Sequence, residues 1–252
     1  ADEVYVMGHH NEDYDCFGAA MGVACMARAI GKPVHIVLSD TNEGIDRILD
    51  MVGKDEAYDG LFVRAGDIAG VASLTALLVV VDAHIPHILA DPTLLERIPK
   101  IVVIDHHRRS ENFVKNPLLV YIETASSSAS ELVTELLMYF GDKVRPTRLD
   151  ATALYSGVVV DTKNFNVGAG VRTFDAAAYL RRAGADPVLV RALFQSDYET
   201  TVALARAKAN AEYFAGGLIV GSIPERLANG QIIAAQAADG MLRVDGVRMS
   251  IY

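Results

Sequence analysis

The sequence is short of cysteine, of long apolar runs and of basic charge, and each shortage excludes a class of protein. Cys16 and Cys25 are the only cysteines among 252 residues, too few for a disulfide framework, and we expect both to be buried free thiols. No apolar run approaches the roughly 18 residues of a membrane span, so we expect no membrane contact by this stretch of chain. The formal net charge of -9 argues against general binding to duplex nucleic acid, which needs a basic surface.

Apolar, β-branched runs alternate with amphipathic stretches through the first two-thirds of the chain. This alternation predicts an α/β fold in which helices cover both faces of a mainly parallel sheet. After residue 127 the pattern is mostly helical, as in "RLDATALYSGVVVD" and "ETTVALARAKANAEYF", until a strand-turn-helix unit begins at "GGLIVGSI". The predicted strands are "EVYVMG", "VHIVLS", "LFVRA", "ALLVVVD", "KIVVIDHH" and "LVYIET".

Aspartate and histidine follow four of the apolar runs. In open α/β sheets ligands bind outside the carboxyl ends of the strands, so residues at these positions are candidates for a site. A lone aspartate after a strand is more often a helix cap or turn residue, but four such coincidences favour a functional site. The candidates are His9, Asp13 and Asp15 after the first run, Asp82 and His84 after "LLVVV", Asp105, His106 and His107 after "KIVVI", and Asp161 after "YSGVVV".

The ligand types favour a pair of metal ions. Imidazole with several carboxylates suits manganese, iron, zinc or cobalt, and the absence of cysteine at these positions disfavours a structural zinc site. The carboxylates are too many for one ion but suit two, which would activate a water and clamp the oxygens of a phosphoryl group. Asp13 and Asp15 would point in different directions in a non-helical turn, so each is predicted to serve a different ion. A central aspartate must then bridge both ions.

Four ordered stretches resemble the motifs of a known family. They are "GHHNEDYDCFGA", "VVVDAHIP", "VIDHH" and "GVVVDTKNF". On these residues the sequence resembles the DHH phosphoesterases, named for a triplet that stands here as Asp105-His106-His107, and the resemblance covers nearly the whole chain. Within that family, "VVVDTKNF" followed by "RTFDAAAYLRRAGADPVLV" is most similar to the catalytic region of the membrane-bound cyclic-di-AMP phosphodiesterases of the GdpP (YybT) type.

The resemblance implies two metal sites that share one aspartate. Asp82 would be the shared ligand and a catalytic residue, in agreement with its place after the most apolar strand. The first ion would be held by His9, Asp13 and Asp82, and the second by Asp15, Asp82, His106 and Asp161.

Four further residues are expected either to bind the substrate or to orient a histidine ring. His107 would stay free of the metals and, as a second catalytic residue, donate to the substrate phosphate. Asp105 would orient a histidine ring, a role that His84 shares unless it caps the next turn. Arg108 either binds phosphate oxygens or belongs to a solvated arginine pair.

Two other features bear on the site. The related proteins usually carry proline where Glu12 stands, and the glutamate is expected to place a further carboxylate near the metals. Ser128 and Glu131 fit a capping box before "LVTELLMYF". The N-terminus of that helix is also a candidate phosphate-binding position.

The resemblance implies a two-metal phosphodiesterase that hydrolyses cyclic di-AMP, a second messenger, to linear pApA with Mn²⁺ as the preferred ion. One alternative is an enzyme of the same family that acts on short oligoribonucleotides or linear dinucleotides. Another is a catalytically weak regulatory module that binds cyclic dinucleotides, against which the intact ligand set argues. A pyrophosphatase shares the metal motifs, but "DTKNF" and "RTFDAAAYL" resemble the dinucleotide enzymes better. A homodimer is left open.

The resemblance also predicts the domain organisation. Residues 1–185 would form the DHH catalytic domain, and residues 186–214 a helical linker. Residues 215–252 would begin a DHH-associated substrate-binding domain, truncated before its glycine-rich end. We expect a cytoplasmic domain excised from a bacterial membrane-anchored protein.

Overall fold

The computed structural model describes residues 1–39, 44–68, 74–223 and 230–252. They fall into two compact units, Ala1–Leu193 and Phe194–Tyr252. This division lies inside the predicted linker, residues 186–214, while the assignment of the units to a catalytic and a substrate-binding domain stays a prediction. None of the helices in the described ranges has the length and apolar character needed to cross a bilayer.

The first unit is built on a six-stranded parallel sheet. Its strands are β1 Val4–Met7, β2 Val34–Leu38, β3 Phe62–Arg64, β4 Leu77–Val81, β5 Ile101–Asp105 and β6 Leu119–Ile122. They stand in the order β3-β2-β1-β4-β5-β6, and every neighbouring pair is parallel. The six strands and the α/β class predicted from the sequence are confirmed, with β1 and β4 at the centre of the sheet.

Helices cover both faces of this sheet. Alternate residues of a strand point to opposite faces, so Val4 and Val6 join one core with α1, while Tyr5 and Met7 join a second core. Because both faces are buried at the centre of the sheet, β1 and β4 have no polar face, whereas the edge strands β3 and β6 are partly exposed. The described helices of the first unit are α1 Tyr14–Ala29, α2 Asp46–Val52, α3 Leu94–Arg97, α4 Ala129–Phe140, α5 Arg148–Asp161, α6 Val171–Arg182 and α7 Pro187–Leu193.

Helices α1 and α5 pack closely because glycine lies at their contact. A Cβ atom added at Gly18 of α1 would be 2.5 Å from the carbonyl oxygen of Ala153 in α5. A Cβ added at Gly157 of α5 would be 2.8 Å from Oδ1 of Asp15 in α1. The two helices thus approach each other at the end where α5 reaches Asp161.

The second unit has a three-stranded sheet, β7 Glu212–Phe214, β8 Leu218–Val220 and β9 Met249–Ile251, with helices α8 Tyr198–Ala209 and α9 Gly230–Met241. β7 is antiparallel to β8, and β9 is parallel to it. The sequence-based prediction of one helix through "ETTVALARAKANAEYF" was wrong at its end. Residues 212–214 pair with β8 instead, because aromatic residues such as Tyr213 and Phe214 favour a strand over a helix end.

Candidate metal centre

The predicted site lies at one edge of the sheet, where β1, β4 and β5 end. Met7 lies opposite Val80, and Val81 lies opposite Ile104, so the three strands end at the same level. Ligand sites of parallel sheets lie at this edge. His9 follows β1, Asp82 follows β4, Asp105 ends β5, and His106 and His107 follow it.

Asp82 lies between two histidines. One of its carboxylate oxygens, Oδ2, is 3.4 Å from Nε2 of His9, and the other, Oδ1, is 3.4 Å from Nε2 of His106. The side chain is buried, and the backbone φ of 54° lies in the left-handed region, which a non-glycine residue rarely adopts. Such strain costs about 1–3 kcal/mol and is typical of functional sites.

Asp13 precedes α1 with an extended backbone, as the predicted non-helical turn requires, whereas Asp15 lies in the first turn of the helix. Asp13 is the N-cap, and its Oδ1 accepts hydrogen bonds of 2.9 Å from the backbone N–H groups of Asp15 and Cys16, which start the helix. The two carboxylates still approach different histidines. Asp13 is 3.8 Å from Nε2 of His9, and Asp15 is 3.8 Å from Nε2 of His106.

Asp161 reaches the site from a helix, as the helical pattern of "RLDATALYSGVVVD" predicted, so three of the four apolar runs are strands and the fourth is a helix. Asp161 is the last residue of α5, and its Oδ2 is 3.3 Å from Nε2 of His106. The apolar run before it, "YSGVVV", faces α1 rather than a neighbouring strand. The site therefore combines three strand ends with one end each of α1 and α5.

The N-terminus of α4 binds the carboxylate of Asp15. The backbone N–H groups of Ala129 and Ser130 donate to its two oxygens at 2.7 and 2.8 Å. The helix end that the sequence offered as a phosphate-binding position thus has a partner within the chain. Ser128 does cap α4, but the Glu131 carboxylate bonds Ser127 and Thr173, so only half of the predicted capping box forms.

Glu12 does not add a carboxylate to the cluster. Its Oε1 accepts a hydrogen bond of 2.6 Å from the backbone N–H of Ser39, and its Oε2 accepts one of 2.5 Å from the Ser39 hydroxyl. Ser39 follows β2, next to β1 in the sheet. The glutamate therefore ties the loop before α1 to β2.

Asp105 lies between two histidine rings, His84 and His107. Its Oδ1 accepts from Nδ1 of His107 at 2.8 Å, and its Oδ2 is bonded to Nδ1 of His84. Nε2 of His84 accepts from the backbone N–H of Ser110 at 2.9 Å, so the ring carries its proton on Nδ1. Burial raises the pKa of Asp105, but the hydrogen bonds from His107 and His84 outweigh it and lower that pKa to about 2.

The two arginines after the triplet have different environments. Arg109 lies over the ring of Phe113 at 4.4 Å, and Phe113 in turn stacks on His84 at 5.3 Å. Arg108 is exposed and lines the cavity above the cluster. Of the two arginines, Arg108 is therefore the one that lines the cavity above the cluster.

The donor set fits divalent metal ions. Three groups have ligand atoms within 4.8 Å of one another, namely His9 with Asp13 and Asp82, Asp15 with His106 and Asp161, and Asp82 with His106 and His107. Oδ1 of Asp82 and Nε2 of His106 are buried without a hydrogen-bond partner. Buried polar atoms of this kind are costly unless something binds them. In the third group, Nδ1 of His107 already donates to Asp105, which leaves the first two groups for ions.

The raised pKa values of two histidines also show that the carboxylates of the cluster favour positive charge nearby. Burial lowers the pKa of His9, but contacts with Asp13 and Asp82 outweigh it and raise that pKa to about 10. His106 behaves in the same way next to Asp161 and Asp82, and its pKa rises to about 11. Protons on the two imidazoles thus supply the charge that bound cations would supply instead.

A cavity of about 630 Å³ opens over the cluster, and its apolar wall was missed by sequence reasoning. Ala83, Ile85 and Ile88 line it opposite the carboxylates. The short 3₁₀ helix Pro86–Ile88 is held there because Ile88 O accepts from the backbone N–H of His10 at 2.7 Å. The stretch "VVVDAHIP" contained this signal, since a proline after a strand end starts such a turn.

The four sequence motifs, and the aspartates and histidines that lie together at this edge of the sheet, both indicate a DHH-type protein. The family model for the DHH family, N-terminal domain, matches residues 3–158, and the chain belongs to the DHH family.

The chain is also similar to curated proteins whose names give a particular activity within this family. The chain is 40% identical over 254 residues to the cyclic-di-AMP phosphodiesterase PdeA of Listeria monocytogenes, a match that covers 99% of this chain and 38% of that protein. It is 37% identical to the cyclic-di-AMP phosphodiesterase GdpP of Bacillus subtilis, with the same coverage. The chain thus spans little more than a third of the length of these relatives. The crystal structure of an exopolyphosphatase-related protein from Bacteroides fragilis has the same fold, with a TM-score of 0.76 and 17% identity over 98% of this chain and 74% of that one.

Proposed function

We propose that this chain is the catalytic part of a two-metal phosphodiesterase that hydrolyses cyclic di-AMP to linear pApA. One observation carries the proposal: Asp82 lies between two separate carboxylate–histidine groups, and its buried Oδ1 has no hydrogen-bond partner among the described residues. The substrate follows from the relatives, since PdeA and GdpP are named cyclic-di-AMP phosphodiesterases. In such proteins this part would face the cytoplasm.

The ligands divide between two ions as the resemblance implies. Manganese is proposed as the ion, because carboxylate and imidazole ligands suit it and the family resemblance favours it. Such a pair of ions lowers the pKa of a bound water and neutralises the charge that develops on a phosphoryl group. The first ion would be held by His9, Asp13 and Asp82, and the second by Asp15, Asp82, His106 and Asp161.

His107 is proposed to donate a hydrogen bond to the scissile phosphate. Its Nδ1–H is given to Asp105, so Nε2 is the atom left for the substrate. The hydrogen bond with Asp105 raises the pKa of His107, which favours the ring form that carries a proton on Nε2 as well. His84 supports this arrangement, because it holds the other oxygen of Asp105 in the buried network.

Arg108 is proposed to bind a second phosphate oxygen or the second phosphate of the dinucleotide. It lines the same cavity as His107, and guanidinium pairs bidentately with phosphate. The apolar wall formed by Ala83, Ile85 and Ile88 offers a surface for the flat face of a nucleobase.

Turnover measurements test the proposal against its alternatives. The Mn²⁺-loaded chain is assayed with cyclic di-AMP, cyclic di-GMP, pApA, a short oligoribonucleotide and pyrophosphate. We expect cyclic di-AMP to be converted fastest, with pApA as the product, and Asp82→Asn to abolish the reaction. Asp175→Asn is the matched control, because Asp175 is an exposed carboxylate of α6.

Each alternative predicts a different result in this experiment. Faster conversion of pApA or of the oligoribonucleotide would favour the enzyme of short substrates. Tight binding of cyclic di-AMP by the metal-loaded chain without turnover would favour a regulatory module. Equal loss of activity in Asp82→Asn and Asp175→Asn would contradict the assignment of the centre.

A further inference from the structure

A second cavity lies at the opposite end of α1 from the candidate metal centre. It comprises two separate pockets of about 450 and 390 Å³ that share Arg145 in their linings, and these are called its two lobes below. α1 begins after Asp13 and ends at Ala29 on this cavity, and its 16 residues span roughly 24 Å at about 1.5 Å per residue. α5 runs the other way, from this cavity to Asp161. We call it the basic cavity, and it is separate from the carboxylate–histidine cluster.

The charge of the basic cavity is strongly positive. Its lining includes four cations, Arg28, Lys143, Arg145 and Arg182, but a single described carboxylate, Asp150. Arg28 and Asp150 pair at 2.7 Å, so they neutralise each other. Among the side chains that the structure describes, no ion pair joins Lys143, Arg145 or Arg182 to a carboxylate, although the whole chain carries a net charge of -9. These three side chains are exposed, and together they give the cavity a positive potential that favours an anion.

Helix electrostatics explain only one of these cations. Arg182 lies in the last turn of α6, where the helix dipole favours a positive side chain. Lys143 lies in the 3₁₀ turn Gly141–Lys143, and Arg145 follows in the connection to α5. No helix C-terminus accounts for Arg145, which nevertheless lines both lobes.

An aromatic and apolar wall faces the cations in the larger lobe. Tyr179 is half-buried there, beside Val144, Pro146 and Ala183. An apolar or aromatic wall with a few charged groups, in a volume between about 300 and 1,000 Å³, is typical of small-molecule sites. Aromatic side chains stack on nucleobases, and arginine binds phosphate bidentately. The lining therefore offers one surface for a base and another for phosphates.

We propose that the basic cavity binds a nucleotide, with its base against Tyr179 and its phosphates on Lys143, Arg145 and Arg182. The proposal concerns a site about the length of α1 away from the metal centre and stands independently of the function proposed there.

The absence of tryptophan makes the site measurable by fluorescence. The chain has no tryptophan, so Tyr179→Trp introduces a single reporter into the larger lobe. ADP is titrated into this variant in the presence of EDTA, so that no ion can bind phosphate at the metal centre. We expect saturable quenching of the fluorescence, and a loss of affinity of about tenfold when Arg145→Gln or Arg182→Gln is added.

Calorimetry on the chain without the reporter provides an independent measurement. ADP is titrated into the EDTA-treated wild type, Arg145→Gln, Tyr179→Ala and the matched control Arg191→Gln, whose arginine is exposed on α7. The proposal requires that Arg191→Gln bind like the wild type and that the other two variants bind more weakly. Pyrophosphate should bind more weakly than ADP, because it lacks a base.

Three results would overturn the proposal. The first is the absence of saturable ADP binding to the wild type. The second is an equal loss of affinity in Arg191→Gln and Arg145→Gln. The third is an affinity for pyrophosphate equal to that for ADP. If the first result is found and the wild type binds phosphatidylglycerol vesicles, the cations are assigned to a lipid headgroup instead.

Discussion

Asp82 has a position that no other carboxylate of the cluster shares. Its two oxygens face His9 and His106, whereas Asp13 and Asp15 each approach one of these rings. Its left-handed backbone is a strained conformation that the hydrogen bond from its N–H to Ile104 O helps to hold. The roles of single residues in the centre follow from these positions.

We predict that Asp82→Asn weakens both metal positions, while Asp13→Asn and Asp15→Asn each weaken mainly one. Loss of a ligand should cost at least the roughly 10–100-fold in metal affinity that loss of a supporting partner costs. Anomalous scattering from manganese-soaked crystals measures the occupancy of each position. Full occupancy of both ions in Asp82→Asn would rule out the bridging role, and Asp175→Asn serves as the control.

We predict that substitution of His106 reduces metal binding, whereas substitution of His107 reduces turnover alone. His106→Ala is expected to lose an ion, because Nε2 of His106 lies within 3.4 Å of Asp82 and 3.3 Å of Asp161. His107→Ala should keep both ions and lose turnover by about 10²–10³-fold, as for one transition-state donor. Metal content and kcat are measured on each, with His35→Ala as control, because His35 lies on β2 and pairs with Glu3. Equal metal loss in His106→Ala and His107→Ala would reverse the assignment.

Metal binding should release protons. The raised pKa values of His9, about 10, and His106, about 11, mean that both rings are protonated in the metal-free protein at pH 8. A metal ligand must be the neutral imidazole, so each ring loses a proton on binding and the apparent affinity for Mn²⁺ rises with pH. Calorimetry in buffers of different ionisation enthalpy counts the protons. A count near zero would mean that these histidines are neutral before the metal binds.

At the scale of elements, the contact between α1 and α5 determines how Asp15 and Asp161 meet. Asp15 lies in the first turn of α1, and Asp161 ends α5. Gly18 and Gly157 allow the two helices to approach closely, and the N-terminus of α4 fixes the carboxylate of Asp15 from a third side. The helix packing is therefore part of the site.

We predict that Gly157→Ala destabilises the protein and weakens one metal position. A Cβ at Gly157 would be 2.3 Å from Oγ of Ser130 and 2.8 Å from Oδ1 of Asp15. Replacing glycine by alanine in a helix gains about 1 kcal/mol, but overpacking of a core costs about 1–3 kcal/mol, so a net loss is expected. Thermal unfolding and Mn²⁺ affinity are measured together. Gly230→Ala is the control, because its Cβ would enter open space, and a gain of stability in Gly157→Ala would contradict the packing argument.

At the scale of the whole molecule, the first unit contains all the proposed metal ligands. They lie before residue 162, and both cores around the sheet belong to residues 1–193. The second unit has its own small core around Ala207, Ile233 and Ala237. The two units can therefore be tested apart.

We predict that residues 1–193 alone bind Mn²⁺ as the 252-residue chain does but convert cyclic di-AMP more slowly. The resemblance implies that the second unit contains the start of a substrate-binding domain, and loss of remote contacts reduces rate as well as affinity. Metal content, circular dichroism and steady-state kinetics are compared for the two lengths. A folded 1–193 without metal would show that the centre needs the second unit, and equal turnover would show that the first unit recognises the substrate alone.

The sequence by itself determined the six parallel strands of the first unit and the membership of the DHH family. Both are encoded locally, because apolar runs of strand length and the motif residues that follow them are continuous in the chain. Asp82 and His106 are examples, since each directly follows a strand whose carboxyl end must lie at the ligand-binding edge.

Only the tertiary structure decided where the side chains point. Glu12 turns to Ser39, and Asp15 accepts from the N-terminus of α4, because partners distant in sequence compete for each carboxylate. Asp161 ends a helix that the sequence predicted, but only the packing of α5 against α1 brings its carboxylate to His106. Arg145 and Arg182 come to line one cavity through the packing of α5 and α6, which no local pattern of the sequence encodes.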